Sequence, residues 1–291
     1  MILRHLIQMG HGNETVRSIA KDFVCLATGS RVNNYAKSVR RWKKNGMGKS
    51  HSGDVMNRGL ADKFVKIVEG VSPKMNEDEK ARALICCPDQ SVGIVKGACA
   101  PGEFKRAKIV EDYKGITDAA GRIILVLESP HDQEYVLKLG KWTARGPAHG
   151  CTGCQIRDKF REIFNGKFSV DNYELILVNA IQYQCSLGRR LSGKGNFSKE
   201  KNEIMRILLL HHDFQENLKR RLSMVWRQHS TDFIVNASSS KREICCLINS
   251  VITRITTRYI CGIPHPSSWR NPKNLEKACD VIGTSCLGKE R

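Results

Sequence analysis

Residues 122–128 read Arg-Ile-Ile-Leu-Val-Leu-Glu, a nearly unbroken apolar run that ends in a carboxylate. Similar runs follow at 174–181, 231–237 and 258–263. Strands that are apolar along their whole length are typical of a parallel sheet with helices on both faces, because a strand with one wet face alternates polar and apolar residues. The pattern predicts a three-layer α/β/α sandwich built on a central four-stranded parallel sheet.

The segments between these runs have helical character. Ile156, Phe160 and Ile163 recur at helical spacing, and Ser240 with Glu243 forms a capping-box pattern ahead of another apolar segment. Alternation of strands and helices supports the α/β class.

The first third of the chain differs from the rest. Residues 1–115 are predicted to form a mainly helical, basic region, and 116–291 the α/β domain. The basic side chains include a cluster at Arg40, Arg41, Lys43 and Lys44. The stretch 15–45 fits a helix-turn-helix that would line these side chains along a DNA backbone, and it fits equally well a charged helical pair without a DNA role.

Composition indicates the partner. The chain has 48 Lys+Arg against 29 Asp+Glu, a formal net charge of +19. Such a field attracts polyanions, so nucleic acid is the first partner that we expect, and we expect no obligate protein partner. The alternative is a basic surface on an unrelated enzyme.

A secretory signal pattern and a membrane-length apolar stretch are missing, and the cysteines do not follow a disulfide framework, so we expect a cytoplasmic location.

Polar residues follow three of the four runs. The first ends in Glu128, the second contains Asn179, and the fourth leads into His265. Open α/β sheets bind ligands outside the carboxyl ends of their strands. A carboxylate, an amide and an imidazole are therefore expected to meet at one edge of the sheet, which favours catalysis.

These segments resemble the motifs of the uracil-DNA glycosylase superfamily, most closely those of its iron-sulfur branch. Residues 127–134 (LESPHDQE) resemble the branch's first motif, G-E-A-P-G-x-x-E. Residues 147–153 (PAHGCTG) keep the proline and both glycines of P-F-x-G-x-A-G. Asn179 matches a strand that ends in asparagine, and 265–267 match H-P-S. The similarity covers about residues 120–275.

The resemblance implies that the protein flips a base out of DNA and hydrolyses its N-glycosidic bond. His265 would donate a hydrogen bond to the leaving base as negative charge develops there. Glu128 would stabilise the sugar cation and orient the attacking water, with Asp132 and Glu134 as substitutes in that role. Asn179 would read the edge of the base.

The resemblance also implies DNA contacts near these groups. Ser129, Ser267, Ser268 and Arg270 would bind the phosphates that flank the flipped nucleotide. Trp269 lies where the family carries a wedge residue that fills the gap in the base stack. The structural alternative for Trp269 is a surface anchor for the last helix.

Two departures from the family bear on the substrate. Ala148 stands in place of the aromatic residue that stacks on uracil, and the polar ring of His131 replaces the small residue that follows the motif proline. A smaller wall and a polar neighbour favour a bulky modified cytosine, such as glucosylated 5-hydroxymethylcytosine of phage DNA, and hence a role in anti-phage defence. The alternative is that Tyr183 or Phe160 supplies the stack and that the protein excises uracil in repair.

The early C-x-x-C of the iron-sulfur branch is absent, and only Cys151 and Cys154 have ligand spacing. We therefore expect no cluster, no metal and no cofactor. A rival function of another class is a non-enzymatic DNA-binding regulator. A nucleotide-processing hydrolase is disfavoured because a Gly-rich phosphate loop is missing.

Overall fold

The computed structural model describes residues 53–71, 81–94, 108–109, 119–164, 173–185, 197–238 and 242–287. The chain divides into two compact units, Met1–Gly53 and Asp54–Arg291. The basic cluster at 40–44 and the proposed helix-turn-helix lie outside the described residues. The predictions made for these residues therefore remain predictions.

The helices and strands of the described residues are named in chain order. The helices are α1 (Gly53–Val71), α2 (Cys151–Phe164), α3 (Phe197–Leu210), α4 (His212–Val225), α5 (Arg242–Ile252) and α6 (Pro272–Leu287). The strands are β1 (Gln90–Ile94), β2 (Lys108–Ile109), β3 (Gly121–Leu127), β4 (Tyr135–Lys138), β5 (Lys141–Ala144), β6 (Tyr173–Asn179), β7 (Phe233–Asn236) and β8 (Tyr259–Ile260). Short 3-10 turns occupy Asp132–Glu134 and Pro266–Ser268.

The main sheet has the strand order β2-β1-β6-β3-β7-β8. Each of the four apolar runs contains one of the strands β3, β6, β7 and β8, and these four pair in parallel. The α/β class is confirmed. The sheet itself is mixed and larger than expected, because β1 pairs antiparallel with β6 and β2 pairs antiparallel with β1.

Strands β1 and β2 come from the region 1–115, which we expected to be helical. The sequence of β1 is short and half polar, and its register shifts between Ser91 and Gly93. A strand of this kind is held by backbone hydrogen bonds to its neighbour and leaves little hydrophobic pattern in the sequence. The compact unit begins at Asp54, so its edge does not coincide with the predicted boundary at residue 115.

One face of the sheet is covered by α2 and α6. Ile123, Leu125 and Leu127 of β3 alternate toward this face, and they belong to one buried cluster with residues of both helices. Phe160 and Phe164 stack within it with ring centroids 4.5 Å apart. The remaining large members of the cluster are Ile156, Ile163, Tyr173, Leu175, Leu177, Val235, Ile260, Ile263, Trp269 and Ile282.

A buried ion pair connects α4 to the residue that precedes β1. Arg221 donates from Nη1 to both carboxylate oxygens of Asp89, at 2.8 and 2.7 Å. Its Nη2 donates to the carbonyl oxygens of Asn179 and Ala180, at 3.0 and 3.1 Å. These bonds satisfy carbonyl groups at the carboxyl end of β6 and fix the edge of the sheet where the polar residues meet.

Among the described residues, no helix combines the length and the apolar character needed to cross a membrane.

Candidate active site

Glu128, Lys201 and His265 form the centre of the candidate site. Glu128 follows β3 directly and is buried, and its carboxylate accepts a hydrogen bond from Nζ of Lys201 on α3. The charges of Glu128 and Lys201 act on the pKa of His265 in opposite directions, Glu128 raising it and Lys201 lowering it. Glu128 follows β3 and His265 comes five residues after β8, and both strands belong to the parallel set, so the two residues lie beyond the carboxyl ends of these strands.

His265 is held as a neutral imidazole. Burial is the largest effect on its pKa and lowers it below the ordinary value of 6.5. The backbone N–H of Ser267 donates to Nδ1 of His265 over 3.3 Å, and Oγ of Ser267 lies 2.8 Å from the same nitrogen. Because Nδ1 accepts this hydrogen bond, the ring proton of the neutral form belongs on Nε2. Nε2 is then a hydrogen-bond donor that carries no formal charge.

The loop around His265 is anchored from behind. Ser268 donates from Oγ to the carbonyl oxygen of His265 over 2.8 Å, and Trp269 donates from Nε1 to the carbonyl oxygen of Pro264 over 2.8 Å. Trp269 is fully buried in the core cluster. A wedge has to be exposed to enter a base stack, so the wedge assignment of Trp269 was wrong. Because its side chain lies in the core, Trp269 is not a surface anchor for the last helix either.

Glu134 occupies a second, deeper polar cluster. Its Oε1 accepts from the backbone N–H of Ala148 over 2.8 Å, and its Oε2 accepts from Nδ2 of Asn179 over 3.4 Å. The thiol of Cys87 lies 3.9 Å from the same Oε2. Burial raises the pKa of Glu134 to about 8, against the lowering effect of these hydrogen bonds. Asn179 is thereby oriented by a carboxyl group that is largely protonated at neutral pH.

Ala148 does not border an open base pocket. Its side chain is fully buried in the core cluster, and its φ of +61° is in the left-handed region. The space that an aromatic residue would fill is taken by core side chains, so the interpretation of Ala148 as an enlarged pocket wall does not fit. The two aromatic alternatives are buried as well, Phe160 against Phe164 and Tyr183 against Phe64.

The two glycines of the 147–153 motif allow tight loop packing. A Cβ on Gly153 would lie 1.6 Å from the carbonyl oxygen of Ala148, so only glycine lets the start of α2 approach this loop. Gly150 has a φ of +122°, and a Cβ there would lie 1.9 Å from Oε1 of Gln133. The motif therefore has a structural explanation in this chain.

The remaining predicted residues lie nearer the surface. His131 and Asp132 form a contact pair whose side chains are 42% and 36% exposed. Asp132 is thus placed in a 3-10 turn with His131 as its partner. Arg270 is exposed and available to a phosphate.

Ser129 hydrogen-bonds to the thiol of Cys185, whose pKa burial raises to about 12. Ser267 and Ser268 use their hydroxyl groups to hold the His265 loop. The structure therefore gives the serines near the site internal partners, and a direct phosphate contact would compete with these bonds.

Cys151 and Cys154 lie on the first turn of α2 and are exposed. The guanidinium of Arg157 donates to Sγ of Cys154 over 3.1 Å, and Sγ of Cys151 lies 4.0 Å from the carbonyl oxygen of Ser267. Within the described ranges, no three His, Cys, Asp or Glu residues are arranged to hold a metal ion.

Sequence reasoning missed Lys201 as a member of the site. The segment at the start of α3 reads Phe-Ser-Lys-Glu-Lys-Asn-Glu, and nothing in it distinguishes Lys201 from Lys199. Helical phase alone could not select one of the two, because the strand end that α3 approaches is set by tertiary packing. The burial of Glu134 was missed for the same reason.

Comparisons of the chain with protein-family models, with curated proteins and with solved structures found no match.

Proposed function

We propose that this chain is a monofunctional DNA glycosylase, which flips a nucleotide out of the duplex and hydrolyses its N-glycosidic bond to leave an abasic site. The observation that carries the proposal is the neutral His265, with its proton on Nε2, together with the partly buried Glu128–Lys201 pair. The proposed domain is a three-layer sandwich in which helices cover both faces of the parallel strands, with the site at their carboxyl edge.

The reaction requires stabilisation of two charges. As the bond between the base nitrogen and the sugar C1′ breaks, its electron pair leaves with the base and the sugar becomes cationic. Nε2–H of His265 donates to the base oxygen that gains negative charge. The carboxylate of Glu128 stabilises the sugar cation and orients water, whose oxygen bonds to C1′. The water loses a proton to complete the hydroxyl group, and the base gains one.

Lys201 has a positioning role in this proposal. Its ammonium group pairs with the carboxylate of Glu128 where that carboxylate is largely buried and an unpaired charge would be costly. A neutral imidazole suits the leaving base better than an imidazolium, because an imidazolium would have to keep its positive charge in a buried site.

Duplex DNA is the proposed partner. The formal net charge of +19 supplies attraction to phosphates, and the exposed Arg270 stands five residues after His265. The N-terminal cluster at Arg40, Arg41, Lys43 and Lys44 would add affinity. We further propose a cytoplasmic location.

For the substrate we propose a bulky modified cytosine, such as the glucosylated 5-hydroxymethylcytosine of phage DNA, with a role in phage defence. The support is His131, which is 42% exposed and polar, close in sequence to Glu128. The burial of Ala148 takes away the other argument for a large pocket. Excision of uracil in repair is therefore the direct alternative.

The test measures free base released from matched duplexes that carry uracil, 5-hydroxymethylcytosine or its glucosylated form at one position. Release from a modified cytosine supports the full proposal, and release of uracil alone supports the repair alternative. Glu128→Gln is the matched inactive control, because it keeps the volume and removes the charge. Tight DNA binding with no release from any substrate would overturn the proposal in favour of a DNA-binding regulator.

A further inference from the structure

The hairpin formed by β4 and β5 presents an apolar tip to solvent. The strands Tyr135–Lys138 and Lys141–Ala144 pair antiparallel and form a separate two-stranded sheet. Between them stand Leu139 and Gly140 alone. Leu139 is 103% exposed, and Leu137 on the preceding strand is 54% exposed. No other large hydrophobic residue among the described ones is as exposed as Leu139.

The conformation of the tip is unfavourable for leucine. The φ angles of Leu139 and Gly140 are +48° and +72°, so both turn positions are left-handed, as in a tight type I′ turn. Asparagine, aspartate or glycine is preferred at the first position, because a branched apolar side chain is strained there. Folding alone would favour a polar residue at position 139.

The charges at the tip are also unfavourable for folding. Lys138 and Lys141 stand directly opposite each other in the strand register, next to the turn. Like charges at directly opposed positions repel. Across the described part of the chain, neither lysine has an acidic partner in an ion pair. A polyanion that bound between them would relieve this repulsion.

The base of the hairpin adjoins the cluster of Glu134 and Asn179. Tyr135 follows Glu134 directly, and the backbone N–H of Arg145 donates to the carbonyl oxygen of Glu134 over 2.8 Å. The guanidinium of Arg82 lies 4.8 Å from the ring centroid of Trp142, which braces the second strand. Four residues at about 3.3 Å each put the tip roughly 13 Å from this base, which is within the reach of a bound duplex.

We propose that this hairpin is a duplex-DNA wedge: Leu139 inserts into the base stack while Lys138 and Lys141 bind phosphates on either side. The inference rests on the proposed function for its link to base flipping, and it assigns the wedge to a place that replaces the buried Trp269. Apolar insertion partly unstacks bases and lowers the free energy needed to extrude one.

The first experiment compares Leu139→Asn with the wild type. Asparagine suits a left-handed turn, so this variant should fold with an unchanged or higher melting temperature. It should release base from a fully paired duplex at roughly one tenth of the wild-type rate or less, and from single-stranded DNA at the wild-type rate, since only the duplex has to be unstacked. Met224→Ala, at an exposed apolar residue of α4, is the matched control and should behave as wild type.

The second experiment does not depend on catalysis. Binding to a duplex that holds a tetrahydrofuran abasic site is measured by fluorescence of 2-aminopurine placed beside that site. Wild type should raise the fluorescence by unstacking, and Leu139→Asn should not.

The double variant Lys138→Thr with Lys141→Thr should reduce the slope of log affinity against log salt by about 1.8, for two lost phosphate contacts.

The two experiments separate the failure of the wedge from the failure of the proposed function. If the protein releases no base but unstacks the abasic duplex through Leu139, the wedge is supported and the glycosylase function is refuted. Equal base release and equal fluorescence for wild type and Leu139→Asn would overturn the wedge. The wedge would also be overturned if Leu139→Asn kept its DNA affinity but lost binding to phosphatidylcholine–phosphatidylserine vesicles, or lost self-association.

Discussion

The backbone N–H of Ser267 donates to Nδ1 of His265 over 3.3 Å, and this bond determines where the neutral imidazole holds its proton. A backbone donor cannot reverse its role, in contrast to a hydroxyl group. The 3-10 turn Pro266–Ser268 therefore fixes the tautomer of the residue before it.

His265→Ala should lower single-turnover base release by about 100-fold or more with nearly unchanged DNA affinity, the size expected for the loss of an electrostatic stabiliser. Ser267→Ala is the matched control, because it keeps the backbone donor and loses only the hydroxyl group. It should lose far less activity. If His265→Ala released base at the wild-type rate, the role of His265 would be refuted.

The pH profile gives an independent check on the state of His265. Its pKa is below the ordinary 6.5, so the neutral donor form dominates at all pH values above that. Deprotonation of His265 should therefore cause no fall in the rate of base release when the pH rises from about 6.5 to 8. An imidazolium mechanism would instead lose activity as the pH rises through the pKa. Rate measurements in wild type across this range distinguish the two.

Glu128→Gln and Lys201→Met test the buried ion pair. Each single variant should slow base release, and Lys201→Met should also lower the free energy of unfolding, because it leaves the Glu128 carboxylate buried without its partner. The loss in the free energy of unfolding should be smaller in the double variant than the sum of the losses in the two single variants. A double-mutant cycle by urea unfolding measures this difference. Strict additivity would show that the pair does not interact in solution.

Glu134 should make the stability depend on pH. Its pKa is raised from 4.5 to about 8, so the folded state keeps a proton that the unfolded state releases. The unfolded state then binds fewer protons between pH 4.5 and 8, and the free energy of unfolding falls as pH rises through that window, by at most about 1.4 kcal/mol per pH unit. Glu134→Gln should flatten this dependence, and the exposed Glu162→Gln should not. Urea titrations at several pH values measure it.

Gly153→Ala should destabilise the fold by about 2 kcal/mol or more, because its Cβ would lie 1.6 Å from a backbone oxygen that cannot rotate away. Gly59→Ala in α1 is the matched substitution with nothing within 4 Å of the new Cβ. It should stabilise the helix by about 1 kcal/mol. Melting temperatures that moved together in the two variants would contradict the close approach of α2 to the Ala148 loop.

Replacing Arg40, Arg41, Lys43 and Lys44 with serine should flatten the salt dependence of DNA binding, by a slope of up to about 3.6 for four lost phosphate contacts. Base preference should survive, because phosphate contacts carry no sequence information. A changed preference at an unchanged salt slope would show that this cluster reads the substrate.

The fold class and the edge that carries the polar residues could be predicted because both depend on local patterns. A strand segment such as 123–127 is apolar at every position only if both of its faces are buried, and the residue after a parallel strand lies at the carboxyl edge wherever the chain goes next. By contrast, β1 escaped prediction because its position depends on backbone pairing with β6.

The sequence by itself determined the α/β class and the meeting of Glu128 and His265 on one edge, since these follow from strand burial and strand direction. Only the tertiary structure decided which polar and aromatic groups are covered. Trp269 became core because α2 and α6 close over it, Glu134 became a buried carboxyl because the Ala148 loop folds onto it, and Lys201 became the partner of Glu128 because α3 crosses that strand end. Burial of one side chain depends on segments far away in the sequence, so no local pattern can specify it.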